Sequence, residues 1–238
     1  MTDGHQAGLV CGFGDVAAGI AAVAWDLGEP GALLLSAGDA RPATFGIEEG
    51  GDAAALSITA GQTSIEATLA PRAAEVALED GPVATVCTAE VRSEGGTETI
   101  ECFGQICRWS ANPLQGAGIF RQIAVQSGED SAVVAVARGE PSATGHGEER
   151  TGGGLIRGED ATPFEESLIS TQYDSAGDPT RIGLELWPVD ADQTSRAAAT
   201  RVSGSLIGGV RTGGTWAGLF RCHTDGVEGL GSYLLWRA

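Results

Sequence analysis

The chain has 238 residues, a formal net charge of −18 at pH 7 and a sequence pI near 4.3. That charge repels the phosphates of nucleic acids and of anionic membranes, so neither is an expected partner. All 14 basic residues are arginine, and a chain without lysine has neither a Schiff-base lysine nor a Walker-type phosphate loop.

Five cysteines at irregular spacing, with no CxxC, favour reduced thiols over a disulfide framework. The residues that follow Met1 lack the basic region of a signal peptide. No apolar run approaches the roughly 20 residues that span a bilayer. We therefore expect a cytoplasmic protein that does not insert into membranes.

The first 40 residues carry a glycine pattern with two interpretations. Residues 12–17 match G-x-G-x-x-A, and apolar runs at 20–25 and 32–35, with an acid at Asp39, could complete a dinucleotide-binding β-α-β unit. Nothing downstream alternates strands with amphipathic helices, which a doubly wound sheet requires. A glycine-rich entry to a β-strand is therefore favoured.

From residue 31 onward, turn signals recur every 8–12 residues, the spacing typical of an all-β chain. Residues 83–91 and 97–109 are predicted to form a hairpin around Gly95-Gly96. Residues 72–79 could form a short helix.

Asn112-Pro113 interrupts this pattern and predicts a boundary between an N-terminal half, 1–112, and a C-terminal half, 113–238. Residues 139–154, which include His146, are predicted to form an exposed loop. The whole chain gives roughly sixteen strands and little helix. The predicted strands of the second half are 119–126, 132–138, 165–173, 180–187, 196–204, 206–211, 215–223 and 229–236.

Two sequence echoes predict that the halves are related. Residues 228–236 read E-G-L-G-S-Y-L-L-W and residues 101–109 read E-C-F-G-Q-I-C-R-W, an offset of 127 residues. Ser-Ala-Gly-Asp occurs at 36–39 and again at 175–178, in the same order relative to the first echo. We therefore expect the two Trp-ending strands at equivalent places in two duplicated units.

Each half has enough short strands to close an antiparallel β-barrel, which removes exposed sheet edges. The fold class is thus all-β, with two tandem barrel halves. Strand alternation puts an acid, apolar groups and one small polar group on a single face of each Trp-ending strand, and we expect these faces to line the barrel interiors. The alternative is that they simply pack the core. The residues concerned are Glu101, Phe103, Gln105, Cys107, Trp109, Glu228, Leu230, Ser232, Leu234 and Trp236.

Two tandem barrel halves in an acidic chain, with a Gly-rich C-terminal strand that ends in an aromatic residue and Trp, resemble the AttH-like, tandem lipocalin-like superfamily. That superfamily includes hydroxyneurosporene synthase-type carotenoid hydratases and cofactor-free cyclases of natural-product pathways. The resemblance implies a hydrophobic small molecule held at or between the barrels.

Strand aromatics of the second half are the best candidates for the walls of a ligand cavity, because they supply most of the apolar area that a ligand can bury. We expect such a cavity in the second half, walled by Tyr173, Trp216 and Trp236. The other predicted ligand-binding residues are Gln105, Trp109 and Ser232.

His223 and Glu228 are the candidate catalytic residues, as acid, base or polar contact. His223 and Trp216 lie seven residues apart, so both can face a cavity only if a bulge, for which Gly218 is the candidate, shifts the strand. A solvent-satisfied histidine at a strand end is the commoner arrangement. Cys222-His223-x-Asp225 lacks the three convergent ligands of a metal site, so no metal is expected.

These patterns predict binding of a terpenoid, polyketide or lipid-like molecule, with or without cofactor-free isomerisation, hydration or cyclisation. No cofactor is expected. A non-enzymatic structural or interaction protein with filled barrels is the alternative, and a dinucleotide-dependent oxidoreductase is the third. The ligand, the reaction and the oligomeric state do not follow from the sequence.

Overall fold

Antiparallel β-structure dominates the described part of the chain, which is seen in a computed structural model. Seventeen strands and no α-helix occur within the described ranges. None of the residues described there forms a helix that could cross a membrane. The ranges are 8–15, 17–50, 53–71, 76–77, 82–93, 99–127, 131–142, 148–158, 160–188, 200–224 and 226–238.

The strands of the first half are β1 (Gly8–Asp15), β2 (Ile20–Asp26), β3 (Gly31–Ser36), β4 (Asp39–Gly50), β5 (Ala53–Ala60), β6 (Thr63–Pro71), β7 (Val76–Ala77), β8 (Pro82–Ser93) and β9 (Thr99–Trp109). Consecutive strands pair antiparallel from β1 to β6. β6 then pairs with β8, and β9 returns to β1, which closes a ring of eight strands. We call this ring the first barrel; β7 pairs with β8 beside it.

The strands of the second half are β10 (Ile119–Ser127), β11 (Ser131–Gly139), β12 (Glu149–Arg157), β13 (Asp160–Tyr173), β14 (Pro179–Pro188), β15 (Thr200–Thr212), β16 (Thr215–Thr224) and β17 (Val227–Arg237). They form a closed antiparallel barrel in chain order, in which β17 pairs with β10. We call it the second barrel. Each described strand of this half pairs with a neighbour on both sides, which protects the strand edges.

Three apolar clusters hold the molecule together. One fills the first barrel, with side chains such as Leu56. A second fills the second barrel and includes Phe220. The third lies between the barrels, where Trp25 and Trp109 of the first half meet Phe120 of the second. Burial of apolar area at about 25 cal/mol per Å² drives all three.

Strand β2 contributes alternate side chains to two of these clusters. Ala22 and Ala24 face the first barrel's interior, whereas Val23 and Trp25 face the second barrel. Trp25 lies against Gly31 of β3, where a Cβ atom would come within 2.3 Å of its indole ring. Gly31 therefore leaves the space that this ring occupies.

The two Trp-ending strands occupy corresponding positions, as predicted. β9 pairs with β8 and with the first strand of its half, β1. β17 likewise pairs with β16 and with the first strand of its half, β10. The hairpins β8–β9, β10–β11 and β13–β14 also match their predictions. The boundary at residues 112 and 113 falls in the segment between β9 and β10 and stays a prediction.

The glycine-rich segment at Gly12 and Gly14 lies within β1, as the favoured interpretation predicted, and β1 forms an antiparallel hairpin with β2 in place of the strand-helix order of a dinucleotide fold. Two other expectations need correction. The predicted loop 139–154 contains the first half of β12. In the predicted helix 72–79, Val76–Ala77 is a strand, and the other residues lie outside the described ranges, as do His5 and His146.

Candidate functional site

The face predicted to line both barrel interiors points outward, and its apolar residues form part of the contact between the barrels. Phe103, Cys107 and Trp109 belong to the inter-barrel cluster, together with Leu230 and Leu234. The residues between them point inward instead. The expected inward orientation is therefore wrong, because both faces of these strands are buried and alternation alone cannot distinguish them.

Gln105 and Ser232 meet at the centre of this contact. The Gln105 side-chain amide donates a hydrogen bond to the Ser232 hydroxyl over 3.3 Å, and both residues are buried. Their separation of 127 residues equals the offset of the sequence echo. Residues at equivalent positions in the two halves thus contact each other across the interface.

Other polar atoms in the inter-barrel region are buried without a hydrogen-bond partner among the described residues. They are the Nε1 atoms of Trp25 and Trp109, the Oε1 atom of Gln105 and the amide of Gln122. The gap beside Gln105 and Ser232 has no room for a water molecule. The predicted ligand contacts Gln105, Trp109 and Ser232 accordingly lie in a tightly packed contact between the barrels.

Two of the three predicted wall residues do face the second barrel's interior. Trp216 is buried there, with its ring centroid 6.2 Å from that of Tyr233, and Tyr173 packs against the same cluster. Gly209 and Gly218 leave the space for the Trp216 indole. Trp236 lies on the opposite face and packs against the inter-barrel cluster.

His223 and Glu228 are both exposed on the outer wall of the second barrel. They are direct cross-strand neighbours, and Glu228 forms an ion pair of 2.8 Å with Arg221. The pairing of β16 with β17 is regular at Gly218, and the irregularity lies on β15, between Leu206 and Gly208. Without a bulge at Gly218, Trp216 is inside and the histidine is outside.

The second barrel's interior holds a polar arrangement that the sequence analysis missed. Arg121 of β10 crosses the interior, donates to the Ile169 carbonyl of β13, and forms a buried ion pair with Glu149 of β12. Nearby, the hydroxyls of Thr171 and Tyr233 are 2.9 Å apart and bridge β13 to β17. We call Arg121, Glu149, Thr171 and Tyr233 the inner polar cluster.

The inner polar cluster is almost wholly shielded from solvent. The side chains of Arg121 and Glu149 are 1% and 6% exposed. Burial raises the pKa of the Tyr233 phenol above its usual value, although the Arg121 charge and the Thr171 hydrogen bond act in the opposite direction. The cluster therefore presents one cation, one carboxylate and two neutral hydroxyls within apolar walls.

Only Arg121, among the four residues of the inner polar cluster, could have been noticed from the sequence. In the run Ile119 to Val125, Arg121 shares its strand phase with Ile123 and Val125, so a charged residue occupies an inward position. Glu149 gave no signal, because it falls in the segment predicted as a loop. The ion pair joins strands that are not neighbours, which a local pattern does not reveal.

Cys11, Cys102, Cys107 and Cys222 are free thiols, in keeping with the expectation of reduced cysteines. Burial raises the pKa of Cys102, Cys107 and Cys222 to about 12. No group of three potential metal ligands converges within the described ranges. The predictions of no metal and no cofactor stay predictions.

The paired eight-stranded units, packed together through the outer faces of several strands of each barrel, define a tandem lipocalin-like fold of the AttH type. No protein-family model and no curated protein sequence matches the chain.

Solved structures match this fold over nearly the whole chain. A provisionally assigned AttH from Nitrosomonas europaea is similar with a TM-score of 0.59 at 11% identity, over 96% of this chain and 91% of that chain. CghA is similar with a TM-score of 0.55 at 10% identity, over 98% and 88%. The structure of CghA with Sch210972 gives a TM-score of 0.54 at 10% identity, over 98% and 89%.

Proposed function

We propose that the second barrel binds a hydrophobic small molecule of terpenoid, polyketide or lipid-like chemistry, with the inner polar cluster as its polar anchor. The observation that carries the proposal is the buried Arg121–Glu149 pair within an apolar barrel. Ligand sites in proteins combine mostly apolar walls with a few convergent polar groups, and this interior has that composition.

Stability alone is a poor reason to keep this ion pair. Removing two charges from water costs several kcal/mol per ion, and apolar replacements of buried pairs are often neutral or stabilising. The hydroxyls of Thr171 and Tyr233, each a donor and an acceptor, suit a hydroxyl or carbonyl group on a ligand. The pair is thus better explained by recognition than by folding.

Tyr173 marks the end of the barrel at which a ligand would enter. It is half-buried, packs against the interior cluster, and carries the Arg237 guanidinium 4.6 Å from its ring centroid. A cation over an aromatic ring at an exposed site contributes about 0.5–1 kcal/mol. Rotating the Tyr173 and Arg237 side chains apart to admit a ligand therefore costs little free energy. Tyr173 and Trp216 would then contact the apolar body of the ligand.

Any reaction at this site would use the same groups. The Glu149 carboxylate and the Tyr233 hydroxyl are the candidates for proton transfer, and Arg121 would stabilise a developing negative charge. His223 and Glu228 lie on the outer wall, which favours the inner polar cluster over them as the catalytic site. The fold-level likeness to CghA, a protein crystallised with Sch210972, supports a small-molecule ligand.

The test is binding of cis-parinaric acid, a fluorescent fatty acid, together with mass spectrometry of molecules released when the purified protein is denatured. We expect saturable binding that is lost in Trp216→Ala. The control is Trp187→Ala, which removes an indole that is 37% exposed. Binding that survives Trp216→Ala, or fails equally in both variants while both remain folded, would refute the proposal.

A second candidate function is a structural or interaction role with permanently filled barrels. It is favoured by the packing of the interiors, in which Phe220, Tyr233 and Trp216 are all buried within one cluster. This candidate predicts no saturable binding of cis-parinaric acid and no released small molecule. The same experiment therefore distinguishes the two functions.

A further inference from the structure

A concave site lies on the outer wall of the second barrel, away from the inner polar cluster. It is a groove of about 460 Å³ across strands β13 to β16. Its lining includes Arg181, Arg221 and His223 but no carboxylate. Such a lining is unusual in a chain with a net charge of −18. We call it the wall groove.

The register of the strands fixes the first row of the wall groove. Gln172, Arg181, Ser205 and Arg221 are successive cross-strand partners on β13, β14, β15 and β16. Neighbouring strands lie about 4.8 Å apart. The backbones of the two arginines lie on either side of Ser205 and are therefore separated by roughly twice that distance. Both guanidinium groups can therefore reach one anion seated over Ser205.

The second row lies beside the first, two residues along each strand. Ser170, Gly183, Ser203 and His223 are cross-strand partners in the same order. Gly183 supplies no side chain, and a Cβ atom there would lie 2.5 Å from the Ser170 hydroxyl. The glycine thus keeps the floor of the wall groove open between hydroxyl groups and the imidazole.

The two arginines differ in their present partners. Arg221 is paired with Glu228 on the rim, whereas Arg181 has no ion-pair partner in the part of the chain that the structure describes. Guanidinium groups and hydroxyls are the usual ligands of phosphate, and charge-assisted hydrogen bonds to phosphate are about twice as strong as neutral ones. A phosphate has enough acceptors to use donors from both rows.

We propose that the wall groove binds a small molecule through a phosphate group, with Arg181 and Arg221 as its charged contacts. Ser203, Ser205 and His223 supply further donors. Glu228 competes with the phosphate for Arg221. This site is separate from the barrel interior, so it stands or fails independently of the proposed ligand there.

The experiment is a titration of the full chain followed by ¹H–¹⁵N NMR at constant ionic strength. Inorganic phosphate and glucose 6-phosphate are the probes, with acetate and chloride as comparison anions. We expect saturable shifts at residues of β13 to β16 for both phosphates, and weaker effects of acetate. Tighter binding of glucose 6-phosphate would assign the site to a phosphate ester, and equal binding would assign it to free phosphate.

Variants separate the wall groove from general electrostatics. Arg181→Gln and Arg221→Gln should each weaken phosphate binding about tenfold, the equivalent of one charge-assisted hydrogen bond. Glu228→Gln should strengthen it, because Arg221 loses its competing partner. Arg211→Gln is the charge-matched control: Arg211 lies on β15, is paired with Asp178 and is outside the groove. An equal loss in Arg211→Gln, or no saturable shift with either phosphate, would overturn the proposal.

Discussion

The two barrels share one architecture but differ in what fills them. Among the side chains that the structure describes, the first barrel's interior cluster is aliphatic and small, with Phe13 as its buried aromatic residue. The second barrel encloses Trp216, Phe220 and Tyr233 and is crossed by the inner polar cluster. The same fold thus supports one core filled by aliphatic side chains and another that holds aromatic rings and buried polar groups.

The largest effect should come from breaking the ion pair that distinguishes the second barrel. Arg121→Met leaves the Glu149 carboxylate buried without its cation, which should lower the free energy of unfolding by about 3–5 kcal/mol. Urea denaturation measures this loss. The double variant Arg121→Met, Glu149→Leu should recover most of it; a double variant as unstable as the single one would contradict our account of the pair.

A cavity in the first barrel should affect stability without affecting ligand binding. Leu56→Ala removes a fully buried side chain and should cost about 2–5 kcal/mol. Leu184→Ala, at a buried position in the second barrel's cluster, is the matched variant and should cost a similar amount. Only Leu184→Ala should alter binding of cis-parinaric acid, and altered binding in Leu56→Ala would argue against the division of roles.

Alkaline pH should destabilise the protein through buried groups in both halves. The pKa values of Cys102, Cys107 and Cys222 are raised from 9.0 to about 12, and burial also raises that of Tyr233. The unfolded chain loses these protons first, so stability is full below about pH 9 and falls between pH 9 and about 12.

The contribution of each barrel to this alkaline loss can be separated. The double variant Cys222→Ala, Tyr233→Phe removes two such groups from the second half, and Cys102→Ala, Cys107→Ala removes two from the first. Urea unfolding at pH 8 and pH 10.5 should show a smaller pH dependence in both double variants than in the unaltered protein. An unchanged pH dependence in either variant would contradict the burial that we assign to its groups.

The smallest expected effect concerns the contact between the barrels. Gln105→Ala and Ser232→Ala should each cost about 0.5–1.5 kcal/mol, the usual net value of a hydrogen bond. Because they share one bond, the double variant should cost less than the sum of the single variants. Additive losses in a double-mutant cycle would show that the two side chains do not interact in solution.

Much of this fold was predictable from the residues. Turn signals at short spacing predicted the strands, and the repeat at residues 101–109 and 228–236 predicted that these two strands occupy equivalent places in two related units. Orientation was not predictable, because β9 has apolar residues on both faces: Ile106 faces its own barrel and Trp109 faces the other. A strand buried on both sides has no polar face from which its phase can be read.

The site was predicted in part. Aromatic content identified Trp216 and Tyr173 on the interior side, but it also selected Trp236, which packs between the barrels. His223 was chosen as the single histidine of a predicted strand, and chemistry alone does not say on which side of a barrel it lies. Glu149 could not be predicted as a site residue, because its role depends on an ion pair between β10 and β12 that forms only in the closed barrel.

The hydrogen bond between Gln105 and Ser232 has a consequence for the origin of the chain. Residues at matching places in two repeats contact each other where a two-fold axis relates the repeats and passes between those residues. In a dimer of identical single barrels, the same site would contact its own copy across that axis. Joining a dimer of identical single barrels into one chain would give such a contact and leave each side of the axis free to diverge, here to glutamine on one side and serine on the other.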